Sequence, residues 1–188
     1  LIELYAKQFE QKKEDVAWMK RAAKLLNKKE CTESDIFFSI SEALYNIDPS
    51  SSAAANMGIR SLKRKDYEKA EVFYTYALEN EPDEINKAQY AYRLAQTYGA
   101  MNKNNSAKTY ALKAAAFRSG WGEPYLLIGD LYAKTSRQCG ELKTEFLKRV
   151  GYWAAIDKYE HAKRLDPQIR AKANERIEKY TEQMPSKT

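Results

Sequence analysis

The side chains best suited to acid–base, nucleophilic or metal chemistry are few in this chain and stand apart. His161 is the only histidine, so the usual proton carrier near neutral pH occurs once. It sits beside Ala162 in a helical stretch, where packing or solvation is its expected role. Cys31 and Cys139 are the two cysteines, and neither has a second Cys or a His at metal-ligand spacing. A disulfide between them requires their two loops to meet at one edge; otherwise each is a small buried side chain or a free thiol. Glu81 and Asp83 pair two carboxylates, but at a helix end, where a solvated loop accounts for them. There is no phosphate-cradling glycine loop, no His-Glu-x-x-His and no Gly-x-Ser-x-Gly. The one glycine-dense piece, Ser119-Gly120-Trp121-Gly122-Glu123-Pro124, reads as a turn that places proline near the first helical position. The residues therefore predict no catalytic site, no metal, no cofactor and no enzyme.

Recognition chemistry is better represented. Of the fourteen tyrosines, Tyr92 lies off the apolar stripe marked by Leu94, with Gln89, Arg93 and Gln96 around it. Tyr90 and Tyr125 read as fillers between helices. The net charge of +6 raises nucleic acid as a rival partner. Basic clusters such as Lys12-Lys13, Lys28-Lys29 and Lys63-Arg64-Lys65 are, however, interleaved with acids, among them Glu10, Glu14, Asp15 and Glu30. Solvated helix faces account for such runs, and no nucleic acid is expected.

The elements that must carry these residues announce themselves through small residues. Ala22, Gly58, Ala95 and Gly129 recur at intervals of 36, 37 and 34, and Met57, Leu94 and Ile128 precede the last three. Such a period in a helix-rich sequence means stacked helical pairs. Ala70 and Ala77, Ala107 and Ala114, and Ala155 and Ala162 each stand seven apart, about two helical turns, so each pair lies on one face. Asp48-Pro49, Glu81-Pro82 and Asp166-Pro167 then mark helix ends, because proline cannot continue a helix. Only seven glycines and five prolines, with 31% charged residues, favour long solvated helices over sheets. No apolar run reaches the length of a membrane span. The chain opens at Leu1 without a signal peptide in view, which suggests a fragment of a longer protein.

At these positions the chain resembles the tetratricopeptide repeat family, whose unit is a helix A, a turn and a helix B. The fullest copy spans 51–84, with Met57, Gly58, Tyr67, Ala70, Tyr74, Ala77 and Pro82 on the signature positions. A second, 88–121, carries Leu94, Ala95, Tyr98, Ala107 and Ala114, but has Ala111 in place of an aromatic and Ser119 in place of proline. A third, 122–167, carries Tyr125, Ile128, Gly129 and Tyr132, then Ala155, Tyr159, Ala162 and Pro167, with 14 extra residues between its halves. The surplus lies at about 134–151, where the pattern Leu142, Phe146, Val150, Trp153 and Ile156 reads as a short loop followed by a helix that starts early.

Residues 1–50 fit loosely. Helix A is expected at 14–27 with Trp18, Ala22 and Leu25 inward, and helix B at 34–46 with Phe37, Phe38, Ile40 and Leu44 inward and Thr32 or Ser34 as N-cap. Before them, Leu4, Tyr5 and Phe9 look like the tail of an earlier unit. Residues 168–188 read as a capping helix and tail, with Ala171, Ala173, Ile177 and Tyr180 as a thin apolar face. The expected fold is all-α, one continuous solenoid of antiparallel helix pairs winding as a right-handed superhelix.

The resemblance also implies a function. Helix A residues of the family line a concave groove that binds peptides, and the corresponding positions here are Asn56, Ile59 and Lys63; Gln89, Tyr92, Arg93 and Gln96; and Leu126, Leu127, Asp130 and Lys134. Their mixture of amide, aromatic, basic and aliphatic groups suits an extended peptide. Asn56 and Arg93 match two positions of the set that grips a terminal carboxylate in some relatives, but Met19, Ala23 and Gln89 replace the others. The stretches Trp121-Gly122-Glu123-Pro124-Tyr125 and Tyr152-Trp153-Ala154-Ala155 look like multi-repeat tetratricopeptide proteins of Bacteroidetes bacteria, which implies a non-enzymatic scaffold of the bacterial cell envelope. The reading is a protein-binding module; alternatives are a regulatory or anchoring segment of a larger enzyme, or a basic nucleic-acid binder.

Overall fold

A computed structural model describes the backbone of residues 1–142 and 145–182, and the side chains of all of these except 137–142 and 145–148. Ten α-helices and one 3-10 turn make up the regular structure, and no strand occurs among the described residues. In chain order they are α1 (Ile2–Lys12), α2 (Val16–Lys28), α3 (Asp35–Ile47), α4 (Ser51–Lys63), α5 (Tyr67–Glu79), α6 (Glu84–Ala100), α7 (Asn104–Phe117), α8 (Glu123–Leu142), α9 (Glu145–Leu165) and α10 (Arg170–Thr181). The chain divides into two compact units, Leu1–Pro82 and a second that begins at Asp83. Within each unit, consecutive helices pack against one another.

Side-chain caps start five of these helices, α2 to α6. Asp15, Ser34, Ser50, Asp66 and Asp83 each accept a hydrogen bond from the backbone N–H three residues on, which satisfies an otherwise orphaned donor and contributes about 1 kcal/mol each. The turns that end them also repeat. Glu30, Lys65 and Asn102 all have φ between 56° and 59°, each just past α2, α4 or α6. In all three turns the next residue's N–H reaches back five positions: Cys31 to Leu26, Asp66 to Ser61, Lys103 to Tyr98. The same closure of orphan carbonyls therefore recurs at intervals of 35 and 37 residues.

In the first unit, Met19, Ala22 and Leu26 of α2 and Ile36, Phe37, Phe38, Ile40 and Leu44 of α3 form the core with Ala53 of α4. Leu25, expected inward, is 36% exposed, whereas Leu26 is fully buried. The inward stripe runs through positions 19, 22 and 26, and Leu25 lies about 100° round the helix from Leu26. Trp18 flanks that stripe, half-buried against Tyr5 of α1. Leu4 of α1 is exposed, while Tyr5 and Phe9 pack on the core. At the base of the α4/α5 hairpin, Ser51 Oγ donates to the buried Glu81 carboxylate (2.7 Å).

The second unit contains the α6/α7 and α8/α9 hairpins and α10. Here the surplus residues are shared by both helices of one hairpin, not held in a loop: α8 has 20 residues and α9 has 21, against 13 in each of α4 and α5. An increment near seven is about two turns, which keeps the same faces opposed. Gly129 accordingly still meets Tyr159, and one heptad further on Gly151 lies against the buried Ser136. The side chains of Cys139, Leu142 and Phe146 lie outside the described ones; the backbone at Cys139 belongs to α8. In α10, Ala173 and Tyr180 are buried and Ile177 packs beside them, but Ala171 is exposed.

Candidate functional site

The side chains of α6 divide by helical period. Ala88, Ala91, Leu94, Ala95 and Tyr98 are buried, while Gln89, Tyr92, Arg93 and Gln96, at i, i+3, i+4 and i+7, share another side. Gln89, Tyr92 and Gln96 are half-buried and Arg93 is exposed, its guanidinium donating to Gln96 Oε1 (3.0 Å). Tyr92 is not a free-standing ring. It packs on Trp121 with centroids 4.9 Å apart, and the Arg118 guanidinium lies 5.1 Å from the same indole. Burial first, and then the Glu123 charge, push the Tyr92 phenol up to about 12.

Trp121 is held there by the two glycines around it. Gly120 adopts φ 76°, a left-handed turn that its lack of a Cβ permits. Gly122 lies so close to α9 that an added Cβ would fall 2.9 Å from the Ala162 carbonyl and 2.4 Å from Ile169. Its N–H donates to Asp166 Oδ2 (3.1 Å), so the acid of the Asp166-Pro167 pair closes the base of the α8/α9 hairpin. The glycine-dense piece is a turn with Glu123 and Pro124 opening α8, as its composition predicts.

On α8 the expected positions separate. Leu126 is 2% exposed and belongs to the core with Tyr152, Ala155, Tyr159, Ala162 and Ala173; it is no surface residue, because α9 and α10 both pack on its side of the helix. Leu127 is half-buried. Asp130 is already engaged: Tyr159 Oη donates to Oδ1 (2.9 Å), and the Arg176 fork donates from Nε to Oδ1 (2.9 Å) and from Nη2 to Oδ2 (3.2 Å). Burial and the adjacent Asp130 carboxylate hold the Tyr159 phenol well above its ordinary value. A turn away, Lys172 pairs with Glu123 (2.7 Å). Lys134 Nζ donates to the Gly99 carbonyl (3.3 Å) at the end of α6.

The face thus consists of α6, α8 and α10, and the sequence reading missed four of its members: Trp121, Glu123, Lys172 and Arg176. A signal existed for the ion pairs. Glu123 and Asp130 stand seven apart and Lys172 and Arg176 four apart, so each pair occupies one side of its helix.

The remaining expected positions lie on α4 in the first unit. Asn56 and Ile59 are half-buried. Lys63 is exposed and forms an ion pair with Glu33, its Nζ 5.8 Å from the Phe38 ring centroid. Elsewhere in the second unit, a crevice of about 470 Å³ opens between the start of α7 and α8, lined by Asn102, Asn104, Lys108, Tyr132 and Thr135 among others.

Among the described residues no three His, Cys, Asp or Glu side chains come together as a metal site, and no helix is long and apolar enough to cross a membrane. Cys31 is a free thiol, donating to the Lys29 carbonyl (3.3 Å). No protein-family model matches this chain, and comparison with curated proteins finds no match.

Proposed function

We propose that the chain is a helical-repeat protein of the tetratricopeptide type, a non-enzymatic module that binds an extended peptide segment of a partner protein. In this reading α4, α6 and α8 are the helices A, α5, α7 and α9 the helices B, and α10 is the cap. The observation that carries the binding role is the row Gln89, Arg93 and Gln96, which offers amide and guanidinium groups beside the Tyr92–Trp121 pair. An extended backbone needs such donors and acceptors, and a rigid aromatic floor supplies contact area at little entropic cost. Asn56, Ile59 and Lys63 are the corresponding positions of α4. Leu126 drops out as core, and Asp130 acts by anchoring α10.

The test is selection of a displayed random peptide library on the immobilised protein. The proposal expects a defined set of binders, and expects Arg93→Ala and Gln96→Ala to weaken them while the helical content and melting temperature stay unchanged. Arg93 suits this better than Tyr92, whose removal would also unpack Trp121. Selection of no peptide, or binders indifferent to both variants, would overturn the reading.

A further inference from the structure

The charge of this protein is not spread along it. From Ile85 to Gly122 the sequence contains Lys87, Arg93, Lys103, Lys108, Lys113 and Arg118 and no Asp or Glu, so this stretch carries the whole net charge of +6. The other 26 Lys and Arg are matched by the 26 Asp and Glu. The acid-free stretch is the body of α6, all of α7 and the turn that presents Trp121.

Geometry sharpens this on the α6, α8 and α10 face. The two described carboxylates of α8, Glu123 and Asp130, are each taken by a cation of α10, Lys172 and Arg176, while α10 itself adds the exposed Glu175 beside Arg176. Two further cations, Arg93 of α6 and Lys134 of α8, have neutral hydrogen-bond acceptors among the described residues: Arg93 donates to an amide oxygen and Lys134 to a backbone carbonyl. The described acids of α8 are therefore neutralised within the protein, while Arg93 and Lys134 are not. Their anchor points, Arg93 and Gly99, are six residues apart on α6, about 9 Å along the axis and about 120° round it.

We propose that the peptide taken by this face is acidic, an extended segment whose side-chain carboxylates meet Arg93 and Lys134. This rests on the peptide-binding reading above and adds the chemistry of the partner. The recognised groups are side-chain carboxylates within a segment, so a free C-terminus is not required. A nucleic acid fits less well. The cations of α7 succeed one another every five residues, about 140° apart around the helix, so they surround it and form no track for a phosphate backbone.

The experiment is fluorescence anisotropy with the full chain and three labelled, C-terminally amidated twelve-residue peptides, repeats of Glu-Ser, Gln-Ser and Lys-Ser, beside a labelled thymidine oligonucleotide of the same length. The Glu-Ser repeat should bind about tenfold or more tightly than the others, and Arg93→Glu and Lys134→Glu should each weaken it about tenfold. Circular dichroism of both variants confirms that they are folded. Equal binding of the Gln-Ser or Lys-Ser repeat, tighter binding of the oligonucleotide, or no effect of either reversal would overturn the acidic assignment. Absence of all binding would overturn it too, and the library selection then decides the peptide-binding reading separately.

Discussion

Three facing pairs, each on the two helices of one hairpin, govern how closely those helices approach. An added Cβ on Gly58 would lie 2.8 Å from the Tyr74 ring, and one on Gly129 would lie 2.3 Å from the Tyr159 ring. In the α6/α7 hairpin, Ala95 and Ala111 share one cluster with Ile128. Ala111 looked like a departure from the repeat when read alone; with Ala95 it is a coupled exchange, a larger residue on one helix offset by a smaller one on the other. Tyr159 is fully buried and bonded to Asp130, so it cannot swing aside. Gly129→Ala should therefore destabilise: overpacking of about 1–3 kcal/mol exceeds the roughly 1 kcal/mol gained in helix propensity. Thermal unfolding should show a melting temperature lower by a few degrees, and a rise would refute the contact.

The same scale sets an alkaline limit. Because the Tyr92 phenol titrates near 12 in the folded chain and near 10 when unfolded, its contribution is complete below about pH 10. It is lost as pH rises to about 12, where the unfolded state releases its proton first. Tyr159 acts in the same direction. Tyr92→Phe should flatten the fall in stability across that window, measured by urea unfolding at a series of pH values; an unchanged slope would contradict the burial of that hydroxyl.

At the scale of elements, α10 owes its docking to more than its apolar face. Ala173, Ile177 and Tyr180 supply that face, and it was legible in the sequence. The bidentate Arg176–Asp130 contact was not, because helical period places a charge on a side but does not say which helix lies opposite. Arg176 is 32% exposed and Asp130 40%, so solvent screening limits the pair to roughly 1 kcal/mol. Arg176→Ala should cost about that much, also leaving Asp130 with Tyr159 alone. Lys172→Ala, on a side chain 61% exposed, should cost under about 0.5 kcal/mol. Urea midpoints of the two variants test the ranking, and equal losses would refute it. The lengthened α8/α9 hairpin was half-legible: the 14 surplus residues were countable, but dividing them between two helices depends on which residues face one another across the hairpin. Leu25 and Leu26 were confused for a related reason, since two adjacent leucines fix the stripe only once Met19 and its neighbours pack.

For the whole molecule, the small-residue period gave the helical pairs, and the repeated left-handed turns at Glu30, Lys65 and Asn102 extend the pattern into the first fifty residues, where side-chain signatures are weak. The charge distribution was present in the sequence as well, but the interleaving that holds elsewhere masks the acid-free stretch. Only the pairing of Glu123 and Asp130 with α10 reveals which cations face no acid. A surface of this kind should bind with a strong salt dependence, because exposed charges are screened over about 10 Å at 0.1 M salt. The affinity of the Glu-Ser repeat should fall several-fold between about 0.05 and 0.3 M salt, and a flat response would argue against charge recognition.

The proposed peptide face belongs to the second unit alone. Backbone NMR shifts of the labelled protein, titrated with a selected peptide, read that face directly. The largest changes are expected on Gln89, Arg93, Gln96, Leu127 and Lys134. Changes centred instead on α7, or on the crevice beside Asn102 and Tyr132, would contradict it.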